Sequence, residues 1–396
     1  MKPITGRGAA AAAAVVCLIS LLVAVPAGAD REGDPEGRTA RAPIIKTRRI
    51  APGLTFTRIV QRKIPRRTFV LRMKPSKPVT LDVTLATASL PSNRTVQQIA
   101  KAHGALAAVN GDFGSPSLGR PSHAFAQDGN LVQAGGGPLF ALSRDESTVF
   151  VGSPPVVVEV ANRDTGQAWQ LDRWNQGPPP PGEIAGFSPE GGTLELPPEY
   201  SCSVHLAPDG KTSFDQNGTG VVRDFLVDQS ACTPGRMSRD GGVVLSAAPA
   251  TDEATHLLAM VPGTRLRLRW SVGWKGVFDL VGGMPVLVSD GRNVVPPCSS
   301  AFCRRHPRTG IGVARNGDIL LVVVDGRREK WSTGATLREF ANIMRNLGAV
   351  QALNLDGGGS TTMVIRDKIV NKPSEARPRR VTNAVLVLPG PDPGET

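Results

Sequence analysis

The chain has 396 residues, 40% of them hydrophobic and 20% charged, a composition that excludes an intrinsically disordered protein and supplies apolar material for a large core. Lysine and arginine number 46 against 34 acidic residues, which gives a net charge of +12. The cations are spread along the chain, no nucleic-acid-binding motif accompanies them, and there is a single tyrosine, so we predict a basic protein without a nucleic-acid partner.

The first 29 residues have the pattern of a secretory signal peptide. Lys2 and Arg7 precede an apolar run over 9–25, and small residues at 27–29 suit cleavage before Asp30. We therefore predict a secreted or extracytoplasmic protein with no stable membrane span after cleavage; an uncleaved N-terminal anchor stays open as the alternative. The charged residues 30–49 predict a flexible leader, and 390–396 a disordered tail.

Extended runs over 54–60, 68–73 and 79–86 predict three strands, and a short helix follows them. Thr95 and Gln98 form a capping box that starts the helix, and Gly104 is placed to end it. The strand that comes next, over 105–109, leads into Asn110 and Asp112.

The middle of the chain is proline-rich, and residues 164–241 read as a variable insertion in a domain that spans 50–389. Four cysteines follow the signal peptide, and an even number in an exported protein predicts two disulfides, with three possible connectivities. We favour Cys202 with Cys232 and Cys298 with Cys303, because each pair closes a local loop. A zinc site is disfavoured because neither the spacing nor neighbouring histidines fit one.

A second helix–strand unit lies near the C-terminus. Thr336 and Glu339 form another capping box, and Gly348 is placed to end that helix. The strand after it leads into Asn354 and Asp356, with the same spacing from the helix-ending glycine as in the first unit. Three glycines and Ser360 follow, and glycine runs suit loops in which the backbone approaches a ligand closely.

The matching spacing predicts that the two units meet and that their aspartates face one cleft. The predicted fold class is α+β, with mixed, largely antiparallel sheets, a few packed helices, and two helix–strand units meeting at a central cleft. Two simpler interpretations stay open: chance similarity in a glycine-rich chain, and a tight hairpin turn with a capping aspartate after the second strand.

Several further motifs occur in order between Arg94 and Leu388: residues 110–113, 135–138, 282–285, 308–312, 325–327, 334–337, 354–363, 371–374 and 380–384. With them the chain resembles the phosphodiester glycosidase family. The Asn-Leu-Asp-Gly-Gly-Gly-Ser segment that begins at Asn354 is the most specific element of the resemblance. The stretch over 164–241 matches nothing recognisable, and Gly114 replaces an aromatic residue of many relatives.

The resemblance implies hydrolysis of a sugar-1-phosphodiester between the anomeric carbon and the phosphate oxygen. Glycosidases use a pair of carboxylates, and we assign Asp112 and Asp356 as base or nucleophile and as stabiliser of the oxocarbenium-like transition state. Phosphate leaves as a stable anion, so stabilisation of that anion by cations and backbone amides matters more than a general acid that protonates the leaving oxygen. Arg308 is predicted to supply a bidentate fork. The amides of Gly357, Gly358 and Gly359 are predicted to form an anion nest.

The other predicted substrate contacts are the polar side chains that flank the two aspartates, which are placed to orient sugar hydroxyls or water. They are Asn110, Asn354, Ser360, Arg380 and Asn383. The implied partner is a phosphodiester-linked sugar or a phosphate-containing glycan, and the sequence does not reveal the oligomeric state. We predict no cofactor, although calcium or magnesium between the aspartates stays open because a ligand count is not readable from sequence.

Two other function classes compete with hydrolysis. A non-catalytic exopolysaccharide or cell-wall glycan-binding protein on the same fold would bind glycan without turnover. A basic nucleic-acid-binding protein would show a steep salt dependence of DNA affinity.

Overall fold

The computed structural model describes residues 42–390 apart from 116, 146–147, 193–194, 197–200, 233–234 and 237–241. The predicted signal peptide and most of the leader lie outside these residues, as does the tail after Gly390. Among the described residues, no helix is both long and apolar enough to cross a bilayer.

The described chain is mostly β-structure with three α-helices, α1 (Val96–Ala102), α2 (Asp252–Leu258) and α3 (Leu337–Asn346). The strands of the first half are β1 (Ile44–Ala51), β2 (Leu54–Gln61), β3 (Arg66–Met73), β4 (Val79–Leu85), β5 (Arg94–Thr95), β6 (Ala107–Asn110), β7 (Gly114–Ser115), β8 (Arg120–Pro121), β9 (Phe125–Gln127), β10 (Asn130–Gln133), β11 (Leu139–Ser143), β12 (Val149–Gly152), β13 (Val157–Asn162), β14 (Ala168–Gln170), β15 (Arg173–Trp174), β16 (Ile184–Phe187) and β17 (Glu195–Leu196). Those of the second half are β18 (Cys202–Pro208), β19 (Ser213–Phe214), β20 (Gly220–Ala231), β21 (Gly235–Arg236), β22 (Val243–Ala247), β23 (Arg265–Ser271), β24 (Val277–Gly282), β25 (Val286–Ser289), β26 (Arg292–Asn293), β27 (Arg308–Ala314), β28 (Ile319–Val324), β29 (Ala349–Asn354), β30 (Met363–Ile365), β31 (Lys368–Ile369), β32 (Arg380–Val381) and β33 (Asn383–Pro389).

Four larger sheets contain most of these strands, and they are antiparallel except where β15 pairs with β16. An eight-stranded sheet has the order β1-β2-β3-β28-β27-β29-β25-β26, and a five-stranded sheet the order β31-β30-β6-β33-β4. A second five-stranded sheet is ordered β10-β9-β24-β11-β12, and a nine-stranded sheet carries β13 to β16 with β18 to β20, β22 and β23. The prediction of largely antiparallel sheets with a few helices is confirmed.

The two largest clusters of buried apolar side chains lie between the sheets. One lies among the eight-stranded and the two five-stranded sheets and includes Phe69, Phe125 and Phe140. The other joins the nine-stranded sheet to β9, β11, β24 and α2. Most described residues of 164–241, the predicted insertion, are in strands, and several of those strands contribute side chains to this second core.

Both predicted capping boxes are present, at Thr95 before α1 and at Thr336 before α3. The apolar face of α1 packs on β6 and β33, and that of α3 packs on β25 and β29. Each helix therefore lies against the strand that leads to one of the two aspartates.

The preferred cysteine pairing is confirmed, because Cys202 is bonded to Cys232 and Cys298 to Cys303. The prediction of a flexible leader over 30–49 is wrong for its last six residues. Residues 44–49, predicted to be flexible, belong to β1, whose backbone pairs with β2 along its length. Their side chains are exposed, and the prediction of flexibility was based on charge alone. Backbone hydrogen bonds to β2 hold the strand.

Candidate active site

Asp356 lies in a connection between two sheets. The chain leaves β29 of the eight-stranded sheet at Asn354, makes a short 3-10 turn over Gly358–Ser360 and enters β30 of a five-stranded sheet. The segment is thus a crossover and not the hairpin turn that local sequence also allowed.

The loop of Asp112 is joined to the loop of Asp356 by reciprocal hydrogen bonds. The amide of Asn110 donates to the backbone carbonyl of Asp356 at 2.7 Å, and the Asp356 N–H donates to the carbonyl of Gly111 at 3.0 Å. Two loops joined by one side-chain and one backbone hydrogen bond in this way are held in a fixed relation. The ends of β6 and β29 therefore lie side by side.

Asp112 and Asp356 line one small cleft of about 260 Å³, a volume that includes space open to solvent. Its lining also includes Asn93, Ser360, Arg379 and Arg380. Two carboxylates and two guanidinium groups thus share one concave, polar surface, which suits an anionic or polyhydroxylated ligand.

The carboxyl group of Asp356 has a perturbed proton affinity. Burial raises its pKa to about 6, and the nearby negative charge of Asp112 contributes to the increase. The Ser360 side chain, the Gly357 N–H at 2.8 Å and the charge of Arg379 act in the opposite direction and do not cancel the effect of burial. A carboxyl group with this pKa exchanges protons near neutral pH, as a catalytic acid or base must.

Asp112 is buried, and both of its carboxylate oxygens accept from His123. Oδ2 accepts the His123 backbone N–H at 2.8 Å, and Oδ1 is 2.7 Å from the imidazole Nδ1. An ionised carboxylate only accepts, so Nδ1 carries the proton. This hydrogen bond raises the pKa of His123, because the carboxylate stabilises the imidazolium.

His123 was given no catalytic role from sequence, where it is a lone histidine after a loop. Two glycines of the recognised motifs make room for it. A Cβ on Gly137 would lie 2.7 Å from its Cδ2, and a Cβ on Gly282 would lie 2.2 Å from its Cβ. The glycine motifs at 135–138 and 282–285 were the available signal that a side chain packs closely there.

Asn110 and Asn383 face the protein and not the cleft. The Asn110 Oδ1 accepts from the Thr309 hydroxyl at 2.8 Å and from the Thr362 N–H at 3.1 Å. The Asn383 Oδ1 accepts the Asp112 N–H at 2.8 Å, and its amide donates to Thr382. Both are fully buried, so the structure gives them the task of fixing the aspartate loops in place of the predicted sugar contacts.

Asn354 is also fully buried at the end of β29. Its side-chain amide donates to the Met284 carbonyl at 2.6 Å and so ties this strand end to the 282–285 motif. This contact, like those of Asn110, is internal, and it departs from the predicted role in orienting the substrate.

The predicted anion nest is not formed by the first two glycines. The Gly357 N–H donates to the carboxylate of Asp356 itself, and the Gly358 N–H donates to the Pro307 carbonyl at 3.0 Å. The run instead permits close packing: a Cβ on Gly359 would lie 2.0 Å from a carboxylate oxygen of Glu375 and 2.4 Å from Nη2 of Arg379.

Arg308 does not provide the predicted fork in the cleft. Its side chain is buried, with Nε donating to the Ala335 carbonyl at 3.0 Å and Nη2 to the carbonyls of Phe302 and Arg304 at 2.7 Å. Burial lowers its pKa to about 10, and the charge of Arg327 adds to that effect. The residue therefore holds the disulfide loop against the start of β27.

The cations of the cleft are Arg379 and Arg380. Arg380, predicted from sequence, is exposed at the cleft wall in β32, which pairs with β5. Arg379, which was not singled out, forms an ion pair with Glu375 beside Gly359. Its place in the basic cluster at 377–380 was the only sequence signal.

Within the described part of the chain, no group of three or more histidine, cysteine, aspartate or glutamate residues is arranged to hold a metal ion. The absence of a cofactor therefore stays a prediction.

The second half of the chain matches a known protein family. Residues 205–388 match a family model described as phosphodiester glycosidase, a range that includes Asp356 but not Asp112. The match begins inside the stretch over 164–241 that had no recognisable counterpart.

Among curated proteins, the chain is 38% identical over 130 residues to the bovine N-acetylglucosamine-1-phosphodiester alpha-N-acetylglucosaminidase, covering 28% of this chain and 24% of that protein. The mouse protein of the same name is 37% identical over 87 residues, which cover 20% of this chain and 16% of the relative. The chain thus spans about a quarter or less of the length of the curated relatives that it matches.

Two solved structures share the fold. A hypothetical protein from Synechocystis aligns with a TM-score of 0.67 at 23% identity, over 88% of this chain and 64% of that chain. A putative exported protein from Burkholderia pseudomallei aligns with a TM-score of 0.63 at 21% identity, over 90% and 98%. The resemblance that the motifs predict is confirmed by the match of residues 205–388 to the phosphodiester glycosidase model.

Proposed function

We propose that this protein is a hydrolase that cleaves a sugar-1-phosphodiester at the bond between the anomeric carbon and the phosphate oxygen. The observation that carries the proposal is the small cleft whose lining includes Asp112 and Asp356, from distant parts of the chain, together with two arginines. The match of residues 205–388 to the phosphodiester glycosidase family supports the same activity.

Asp356 is the residue that reacts. With its pKa near 6 it is mostly ionised at neutral pH, and it is a stronger base than an ordinary carboxylate. In this role it either attacks the anomeric carbon or removes a proton from the attacking water. The glycine run behind it leaves the carboxylate held by one backbone N–H and one hydroxyl group.

Asp112 stabilises the positive charge that develops on the sugar ring in the transition state. Both of its oxygens are held by His123, so the carboxylate is already oriented before substrate binds. Such preorganised charges need no rearrangement during the reaction. His123 is thereby a positioning residue, and Asn383 fixes the same loop through the Asp112 N–H.

Arg379 and Arg380 take the role first given to Arg308, which is to stabilise the departing phosphate. A phosphate monoester leaves as a stable anion, so two cations beside the leaving oxygen replace the general acid of other glycosidases. We also infer export from the cell, since the predicted signal peptide and two disulfides fit an oxidising compartment.

The test is hydrolysis of a panel of sugar-1-phosphodiesters by the wild type, Asp112→Asn, Asp356→Asn and a matched control. Asp279→Asn is the control, because Asp279 is a buried carboxylate that accepts a backbone N–H, from Asp128, outside the cleft. We expect either cleft variant to lose at least about a hundredfold in kcat and the control to keep its activity. Binding of the glycan by the wild type without any turnover would refute hydrolysis.

A further inference from the structure

A second and larger concave surface lies at the edge of the eight-stranded sheet, where β1 and β2 extend beyond the core. It encloses about 880 Å³ open to solvent, and ten described residues line it. Five of them are lysine or arginine, and none of the ten is an aspartate or glutamate: the cations are Lys46, Arg58, Arg62, Arg67 and Lys330. We call this surface the cationic groove.

The cations of the groove are placed where they repel each other. Lys46 is directly opposite Arg58 in the β1–β2 pairing. On the next strand, burial lowers the pKa of Arg67; the charge of Asp325 opposes this effect and the charge of Arg58 adds to it. Like charges directly opposite in a sheet are destabilising. A surface whose lining holds five cations and no carboxylate gains stability when an anion binds.

Four of the five cations are exposed and unneutralised. Within the described chain, Lys46, Arg58, Arg62 and Lys330 have no carboxylate partner within 4 Å, unlike Arg267 and Arg269 on the nine-stranded sheet. The fifth, Arg67, is fixed in position because it stacks on the Trp331 ring, 3.5 Å from the centroid, and donates to the Trp331 carbonyl.

The groove is close to the glycine loop of the candidate active site. Lys372 lies over the same Trp331 ring, with its Nζ 5.1 Å from the centroid, and the Ser374 hydroxyl donates to the Gly358 carbonyl. Consecutive Cα atoms are about 3.8 Å apart, so the Cα atoms of Lys372 and Ser374 lie within about 8 Å of each other. One short segment of the chain therefore contacts both the tryptophan of the groove and the glycine loop.

We propose that the cationic groove binds a linear polymer with regularly spaced phosphodiesters and no bases, that is, a sugar- or polyol-phosphate chain. Several separate cations along an open groove suit repeated single charges better than one compact phosphate. The tryptophan ring is covered by Arg67 and Lys372, and no other aromatic residue lines the groove, so the stacking platform that single-stranded nucleic acids use is lacking. Only the identification of this polymer as the substrate rests on the proposed function.

The test measures binding of a fluorescent oligo(glycerol phosphate) by anisotropy, at low and at physiological salt. The triple variant Lys46→Gln, Arg58→Gln, Arg62→Gln removes three exposed cations of the groove. Its matched control, Lys101→Gln, Lys211→Gln, Arg345→Gln, removes three exposed cations elsewhere and lowers the net charge equally. We expect the groove variant to bind at least about tenfold more weakly at low salt and the control less than about threefold more weakly.

Equal weakening in the two triple variants would overturn the proposal, because net charge alone would then explain binding. Tighter binding of an oligothymidylate than of the glycerol phosphate oligomer would also overturn it. Kinetics on a small sugar-1-phosphodiester separate this site from the active site: we expect the groove variant to keep wild-type kcat and KM. If no small substrate is hydrolysed but polymer binding is still lost in the groove variant alone, the groove stands and the proposed hydrolysis fails.

Discussion

Replacing Asp356 by asparagine should abolish activity and at the same time stabilise the protein above neutral pH. Asp356 is half-buried, and the loss of hydration of its carboxyl group on folding resists ionisation and raises its pKa to about 6. Asparagine has nearly the same shape and no charge. The substitution therefore removes the penalty of a buried negative charge while leaving an oxygen to accept the Gly357 N–H.

The magnitude follows from the two pKa values. In the unfolded chain the group titrates near 3.8, so the gap to about 6 corresponds to about 3 kcal/mol at neutral pH. The folded pKa is the higher one, so wild-type stability from this group is fully present below pH 3.8 and is lost as the pH rises through 6. One weakened hydrogen bond from Ser360 offsets about 1 kcal/mol. We expect a net gain of about 1–3 kcal/mol in the variant above pH 7 and little at low pH.

The assay is urea unfolding of wild type and Asp356→Asn, with disulfides intact, at about pH 4 and about pH 7.5. Asp224→Asn is the control of opposite sign, because Arg267 lowers the pKa of Asp224 through hydrogen bonds at 2.6 Å and the wild-type charge is favourable. It should gain nothing at pH 7.5. A variant at Asp356 that is equally stable, or less stable, at both pH values would refute the claim that this carboxylate is held at an energetic cost.

Other substitutions separate positioning from binding. His123→Ala should lower kcat about a hundredfold while His123→Asn, which keeps a donor, loses less; equal losses would contradict the role of its hydrogen bond to Asp112. Arg308→Met should cost about 2–4 kcal/mol of unfolding free energy without changing KM, whereas Arg380→Gln should raise KM or lower kcat about tenfold with unchanged stability. A changed KM for Arg308→Met together with a loss of stability alone for Arg380→Gln would instead place Arg308 in the cleft. Gly359→Ala should lower activity about tenfold, because its Cβ would displace the Glu375–Arg379 ion pair; wild-type kinetics would show that the position of that pair is immaterial.

Local signals in the sequence predicted much of the fold. Capping boxes at Thr95 and Thr336 each start a helix as expected, since the reciprocal hydrogen bonds involve residues three apart and need no tertiary context. The repeated spacing from glycine to asparagine predicted that Asp112 and Asp356 face one cleft. This stays a prediction, which is supported by the presence of both residues in the lining of one small pocket.

The direction of individual side chains was not readable. Asn110 and Arg308 belong to recognisable motifs, yet one bonds the loop of Asp356 and the other bonds backbone carbonyls. A residue in such a motif is constrained by its contacts, and those contacts are either with the substrate or with the rest of the protein. The sequence did not reveal the role of His123, because its contacts depend on the folded backbone. Its partner Asp112 is eleven residues away along the chain, and the glycines that make room for it lie in later motifs.

The most direct test of the central claim is hydrolysis of a sugar-1-phosphodiester by the wild-type protein in water enriched in oxygen-18, with mass analysis of both products. Attack at the anomeric carbon, as the two carboxylates of the cleft require, places the heavy oxygen in the released sugar and leaves the phosphate monoester unlabelled. Heavy oxygen in the phosphate product would mean that the phosphorus–oxygen bond is broken, and it would contradict the roles assigned to Asp112 and Asp356.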